Sequence, residues 1–174
     1  MKLSEVKIGQ VFKIGEYKFI KVKDDEGVIA VMKECVFNCS YGENNNFAES
    51  KILKRLNEEV LPKIEVEVGK GNVLEFKTDL TSLDGLKTYG SMTSKISIPT
   101  FDFYRNNVEI FDKYKYNGWW WLSTPDTTPE HYNNHWSVCV SPSGDINGSN
   151  YYCNDYGVRP VLNFVSSIFV SNEE

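Results

Sequence analysis

A chain of 174 residues, 41% hydrophobic and 14% aromatic, can bury a sizeable core, so we read one domain over 1–174 rather than a disordered segment. Its net charge of −5 argues against a nucleic-acid partner, which would call for a basic face. No apolar run approaches the roughly 18 residues that membrane insertion needs, and MKLSEVKIGQVFKIG lacks the apolar stretch and cleavage site of a signal peptide.

Residues 6–33 read as antiparallel strands: VFKI, the turn Gly15-Glu16, YKFIKV, the turn Asp24 to Gly27, then VIAVMK. The alternation is imperfect, with Tyr17, Phe19 and Lys21 set against Lys18, Ile20 and Val22. Asn44-Asn45-Asn46 offers a capped helix start. In FAESKILKRLNEEVL, Leu53, Leu56 and Val60 share a face, with Phe47, Ile52 and Leu61 near it. The charges opposite form a solvated face, and Pro62 is expected to close the helix. IEVEV and VLEFKT read as strands about a turn at Gly69 to Asn72. Ser82 to Gly85 and Tyr89 to Ser91 mark loops, KISIP is a strand, and Thr100 caps a second helix, FDFYRNNVEIFDKY.

The last third has a different texture. All four tryptophans, Trp119, Trp120, Trp121 and Trp136, lie in it, and no lysine or arginine falls between Lys115 and Arg159. On a strand, Trp119 and Trp121 share one side and Trp120 takes the other. Thr124 to Val138 reads as a long loop, SVCV pairs with IN across Ser141 to Asp145, and Gly148 to Gly157 is a second polar loop. VRPVLNF is a closing strand with Pro160 at an edge or bulge. Arg159, alone among apolar neighbours, should be buried and hydrogen-bonded. Cys35, Cys39, Cys139 and Cys153 form no C-x-x-C pair, which leaves a zinc ribbon unsupported. Buried or loop thiols are expected, with a Cys139–Cys153 disulfide as the alternative in an oxidising setting.

These residues carry a pattern: Trp120-Trp121-Leu122-Ser123-Thr124-Pro125, then Gly144-Asp145-Ile146-Asn147, then Asn154-Asp155-Tyr156-Gly157-Val158-Arg159-Pro160, with Leu56-Asn57 to Leu61 upstream. It resembles an uncharacterised bacterial and phage family. The resemblance implies an α+β, C-type lectin-like fold of antiparallel sheets with two helices and long C-terminal loops. Similar folds occur in the formylglycine-generating enzyme and in phage receptor-binding proteins varied by diversity-generating retroelements. Ser123 departs from the pattern, which commonly has Arg there.

The resemblance implies a non-catalytic binding module, displayed on a virion or bacterial cell surface and cytoplasmic before assembly, that grips a host-surface carbohydrate or protein receptor. The loop residues belong to the set that adenine variation of Asn-type codons produces. They are His131, Tyr132, Asn133, Asn134 and His135 in one loop, and Asn147, Ser149, Asn150, Tyr151, Tyr152, Cys153, Asn154 and Asp155 in the other; Trp136, beside the first loop, joins all of these but Cys153 as an expected ligand-facing residue. Tyr and Trp give contact area at low entropy cost and Asn and Ser give adaptable hydrogen bonds. An assembly subunit, as a homo-oligomer (a trimer) or against virion neighbours, is the alternative. An oxidase using Cys139 and Cys153 is a third. No cofactor or metal is expected: His131 and His135 lack the carboxylate of an H-E-x-x-H motif, and too few carboxylates converge for calcium.

Overall fold

Glycine turns cut the first apolar runs into short strands. The computed structural model describes residues 1–173. In it β1 (Val11–Ile14) turns through Gly15 into β2 (Tyr17–Asp25), and Glu26 leads into β3 (Gly27–Met32). Gly27 has φ +122°, and a Cβ there would collide with Asn163 Oδ1, so this turn accepts no side chain. Antiparallel pairs form as expected, Phe12 opposite Phe19 and Ile20 opposite Val31. The imperfect alternation has a cause. The register shifts between Lys21 and Lys23, a bulge in a stretch where Phe19 to Val22 are all buried. Lys21 is buried with its neighbours, and its Nζ donates to Leu3 O at 3.2 Å and to Asp24 Oδ2 at 2.6 Å.

After β4 (Phe37–Cys39) one expectation fails. A 3-10 turn (Phe47–Glu49), α1 (Lys51–Arg55), a π turn (Leu56–Val60) and α2 (Leu61–Val68) follow one another, so Pro62 does not close the helix. Proline sits at the start of α2, where the π turn has just shifted the hydrogen-bond ladder and a missing N–H costs least. IEVEV is therefore helical, with Ile64 buried and Val66 84% exposed. Gly69, at φ +87°, ends the helix and donates its N–H to Glu65 O at 2.8 Å. Short strands follow: β5 (Val73–Leu74), β6 (Phe76–Asp79), β7 (Ser91–Ser94) and β8 (Ile96–Ser97).

The second predicted helix is split by Asn107 into α3 (Phe101–Asn106) and α4 (Val108–Lys113). Thr100 Oγ1 caps α3 by accepting Phe103 N–H at 3.0 Å, and Asn107 Nδ2 donates back to Phe103 O at 2.8 Å. The remaining strands are β9 (Trp120–Pro125), β10 (Trp136–Val140), β11 (Ile146–Asn150), β12 (Tyr156–Val158), β13 (Val161–Phe164) and β14 (Ser171–Asn172). VRPVLNF is thus two strands rather than one. Pro160 lies where the chain leaves one sheet for another, at a point where no ladder N–H is needed.

The result is a mixed α+β architecture, mostly strands. A seven-stranded sheet runs β14-β1-β2-β3-β13-β5, with β8 also on β13. A five-stranded sheet runs β11-β10-β9-β12-β4, and β6 and β7 form a separate ribbon. Pairing is antiparallel except for β12 on β9. One face of the larger sheet (Phe12, Phe19, Ala30, Leu162) packs with Ile52, Leu56 and Ile64 of the helical run. The other (Ile20, Val22, Val31, Val161) packs with Tyr104, Phe111, Trp120 and Leu122. Fully burying one such aliphatic or aromatic side chain contributes about 1.5–3 kcal/mol, so the strand pattern and the helical face support one another. No helix among the described residues is long and apolar enough to cross a membrane.

Candidate functional site

The triple tryptophan anchors the site from below. Trp120 packs on Phe111 (centroids 5.5 Å apart) and Tyr104 (5.8 Å). Trp121 points the other way, onto Tyr41 at 5.2 Å and Tyr156 at 4.7 Å, with its Nε1–H donated to Cys39 O at 2.9 Å. Trp119 stacks on the same Tyr156 at 5.6 Å, so it shares the Trp121 side, as alternation requires.

Antiparallel pairing of β10 with β11 then decides where the loops go. Because Trp136 lies opposite Asn150, the loop entering β10 and the loop leaving β11 emerge at the same end, away from the Ser141 to Asp145 turn. Tyr151 N–H donates to His135 O at 2.9 Å, and the ring of Tyr151 lies 6.1 Å from His135 and 5.0 Å from Tyr152. Trp136 lies beside Gly148, its Cε3 3.9 Å from where a side chain there would begin, an ordinary contact distance.

Not all thirteen predicted residues face outward. Tyr132 (81% exposed), Tyr152 (64%) and Trp136 (42%) are the large exposed rings. His131, His135, Asn147 and Asp155 are exposed as well. Ser149, in contrast, is buried. It accepts Asn154 Nδ2–H at 2.8 Å and lies 3.4 Å from the Tyr156 hydroxyl, so Ser149 and Asn154 brace the second loop from inside. Asn133 Oδ1 accepts His135 N–H at 2.9 Å and Asn150 Oδ1 accepts Tyr152 N–H at 3.3 Å, local turns made by side chains. Asn134 meets the protein through its carbonyl, which accepts Asn45 N–H at 2.9 Å.

Two residues that hold the loops were not singled out from the sequence. Asn45, fully buried, donates Nδ2–H to Thr127 O and Trp136 O, both at 2.9 Å, and accepts the Tyr89 hydroxyl at 2.6 Å. The available signal was three consecutive asparagines where a helix cap needs one. Asp84 accepts from Ser82 Oγ, from Thr127 Oγ1 at 2.6 Å and from His131 Nδ1 at 2.7 Å. Burial alone would raise its carboxyl, but these hydrogen bonds outweigh burial and hold it down at about 2. No sequence pattern links Asp84 to His131.

The cysteines do not converge on chemistry. Cys139 and Cys153 are both free thiols, the first buried and the second exposed. Burial pushes the Cys139 thiol up to about 12, far from the thiolate that nucleophilic or redox work requires. Among the described residues no group of three or more His, Cys, Asp or Glu side chains is placed to hold a metal ion. The arrangement offers contact surface: exposed rings beside amide, imidazole and hydroxyl groups, on loops whose backbone is pinned from beneath.

Neither a curated protein nor a solved structure was found to match the chain. Residues 67–166, more than half of the sequence, match a domain of unknown function, DUF6273, and the chain belongs to that family.

Proposed function

We propose that the protein is a non-catalytic binding module of C-type lectin-like fold, displayed on a phage tail or bacterial surface, that grips a carbohydrate or protein receptor. The observation that carries this reading is the exposure of Tyr132, Trp136 and Tyr152 on two loops brought to one end by the β10–β11 pair. Large rings left in water on braced loops suit a recognition surface, with stacking against sugar rings or apolar side chains and amides at the rim. The loops carry no lysine or arginine, so polyanions are poor ligands. The buried Cys139 thiol speaks against an oxidase of the formylglycine-generating kind. If the loops are diversified, tolerated variation should concentrate on Tyr132, Asn147 and Tyr152 and spare Ser149.

A glycan and host-surface binding array tests the proposal, run with the parent and with a Tyr132→Ala, Trp136→Ala, Tyr152→Ala variant. Binding should fall at least ten-fold in the variant while both proteins stay folded, since exposed aromatic anchors dominate such contacts. Binding that persists undiminished would move the site elsewhere. One observation favours the assembly reading instead: β11 is the outer strand of its sheet and carries exposed Ile146, an edge that could pair with a neighbour. Silence on every surface together with a concentration-dependent trimer in light scattering would select that reading.

A further inference from the structure

The β6–β7 ribbon belongs to neither larger sheet, and where it stands off the body it leaves a cleft of about 500 Å³ against the start of α3. The floor is apolar, made by Ile29 of β3, Val161 of β13 and Ile98 just after β8. Phe76 from the ribbon and Phe101 from α3 line the cleft and are both half-buried, with the Arg105 guanidinium carbon 5.5 Å from the Phe101 ring centre. The volume and this lining match those of small-molecule sites, which are mostly apolar with a few polar groups that fix orientation.

The rim supplies the polar groups. Three cations, Lys23, Lys77 and Arg105, stand against two carboxylates, Asp79 and Asp102, on a chain whose overall charge is negative. Most of these are committed. Lys23 pairs with Asp25 at 3.0 Å and Arg105 with Asp102 at 2.9 Å. Asp79 accepts the Thr81 N–H at 2.9 Å and its hydroxyl at 2.6 Å. Lys77 alone of the three cations makes no ion pair within 4.0 Å among the described residues, and from beyond that range its charge adds to the Thr81 hydrogen bonds that hold the Asp79 carboxyl below its usual value. An apolar cavity whose rim holds an ammonium in no close ion pair is complementary to a molecule with an apolar body and a negative head.

We propose that this cleft binds a small amphiphile whose aromatic or aliphatic body lies against Phe76 and Phe101 and whose carboxylate or sulfonate meets Lys77. The site shares no residue with the loop surface, so either can exist without the other.

Fluorescence titration with 1-anilinonaphthalene-8-sulfonate, beside the uncharged N-phenyl-1-naphthylamine, tests the idea. Both dyes should saturate at one molecule per chain in protein that keeps its near-ultraviolet circular dichroism. Lys77→Ala should weaken the sulfonate roughly five-fold and leave the uncharged dye unchanged. Phe76→Ala should weaken both roughly ten-fold. If Phe76→Ala loses the native signal, Leu83→Trp, which narrows the mouth from an exposed position, replaces it and should also weaken both. The proposal is overturned if neither dye saturates in native protein, if Lys77→Ala affects the two dyes equally, or if changing the apolar wall alters neither.

Discussion

His131 and Asp84 lie in different loops yet share a 2.7 Å hydrogen bond, and that bond determines which ring nitrogen stays free. An ionised carboxylate only accepts, so Nδ1 carries the hydrogen and Nε2 is left for solvent or a ligand. The carboxyl itself sets a pH window. Burial would raise it, but the hydrogen bonds win and hold it at about 2 in the folded chain, against an ordinary value of about 3.9. A depressed folded value means that the stabilisation is complete above about pH 4 and is lost as pH falls through about 2. Asp84→Asn should cost about 1 kcal/mol at neutral pH, discounted for the solvent that reaches the group. Thermal melts at pH 7, 4 and 2 should show the gap between parent and variant closing as the pH drops. A gap that stays constant would mean that Asp84 does not titrate as described. Arg159 is the opposite case, a residue whose fate was legible. A lone guanidinium between Val158 and Pro160 had to be satisfied by backbone, and Nε and Nη2 do donate to Met32 O at 2.7 Å and Tyr114 O at 3.0 Å. What the sequence did not disclose is the aromatic pair beside it, Phe111 and Trp120, each within about 5.3 Å of the guanidinium carbon.

Among the elements, those with a strong local pattern were readable and those set by tertiary contact were not. The first hairpins, the Thr100 cap and the opposed tryptophan faces follow from alternation and turn chemistry alone. IEVEV misled because its period-two alternation and β-branched residues suit a strand, while packing against the larger sheet holds it in α2. The two readings predict different outcomes at neighbouring positions. On a strand Ile64 and Val66 would share a face, whereas on α2 Ile64 is buried and Val66 is in solvent. Ile64→Ala should therefore cost about 3 kcal/mol and Val66→Ala less than about 0.5 kcal/mol, measured by urea denaturation. Equal costs would restore the strand. The loop residues were legible only as a composition. Asn, Ser and Tyr serve equally to brace a turn and to meet a ligand, and only burial separates Ser149 from Tyr152.

At the scale of the whole molecule, the passage from Gly157 to Val161 ties its parts together. Gly157 N–H donates to Trp119 O at 2.8 Å and Val36 N–H to Val158 O at 2.9 Å, tying β12 to the residues that lead into β9 and β4 of the smaller sheet. Two residues later Pro160 O accepts Met32 N–H at 2.8 Å, and Val161 pairs with Val31 in the larger sheet. Arg159 between them joins β3 to the end of α4. Five consecutive residues thus hold bonds that neither sheet can give up alone, and the two hydrophobic clusters meet across them. The consequence concerns how the protein comes apart. Neither sheet can open as a separate unit, so the amides of Val31 and Trp121 should exchange with deuterium through one shared, global opening and respond identically to added denaturant. Amides of the β6–β7 ribbon, which this passage does not bind, should exchange through smaller openings and show weaker denaturant dependence. Separate opening energies for the two sheets would show that the crossing is a simple connection rather than the point at which the fold becomes a single cooperative unit.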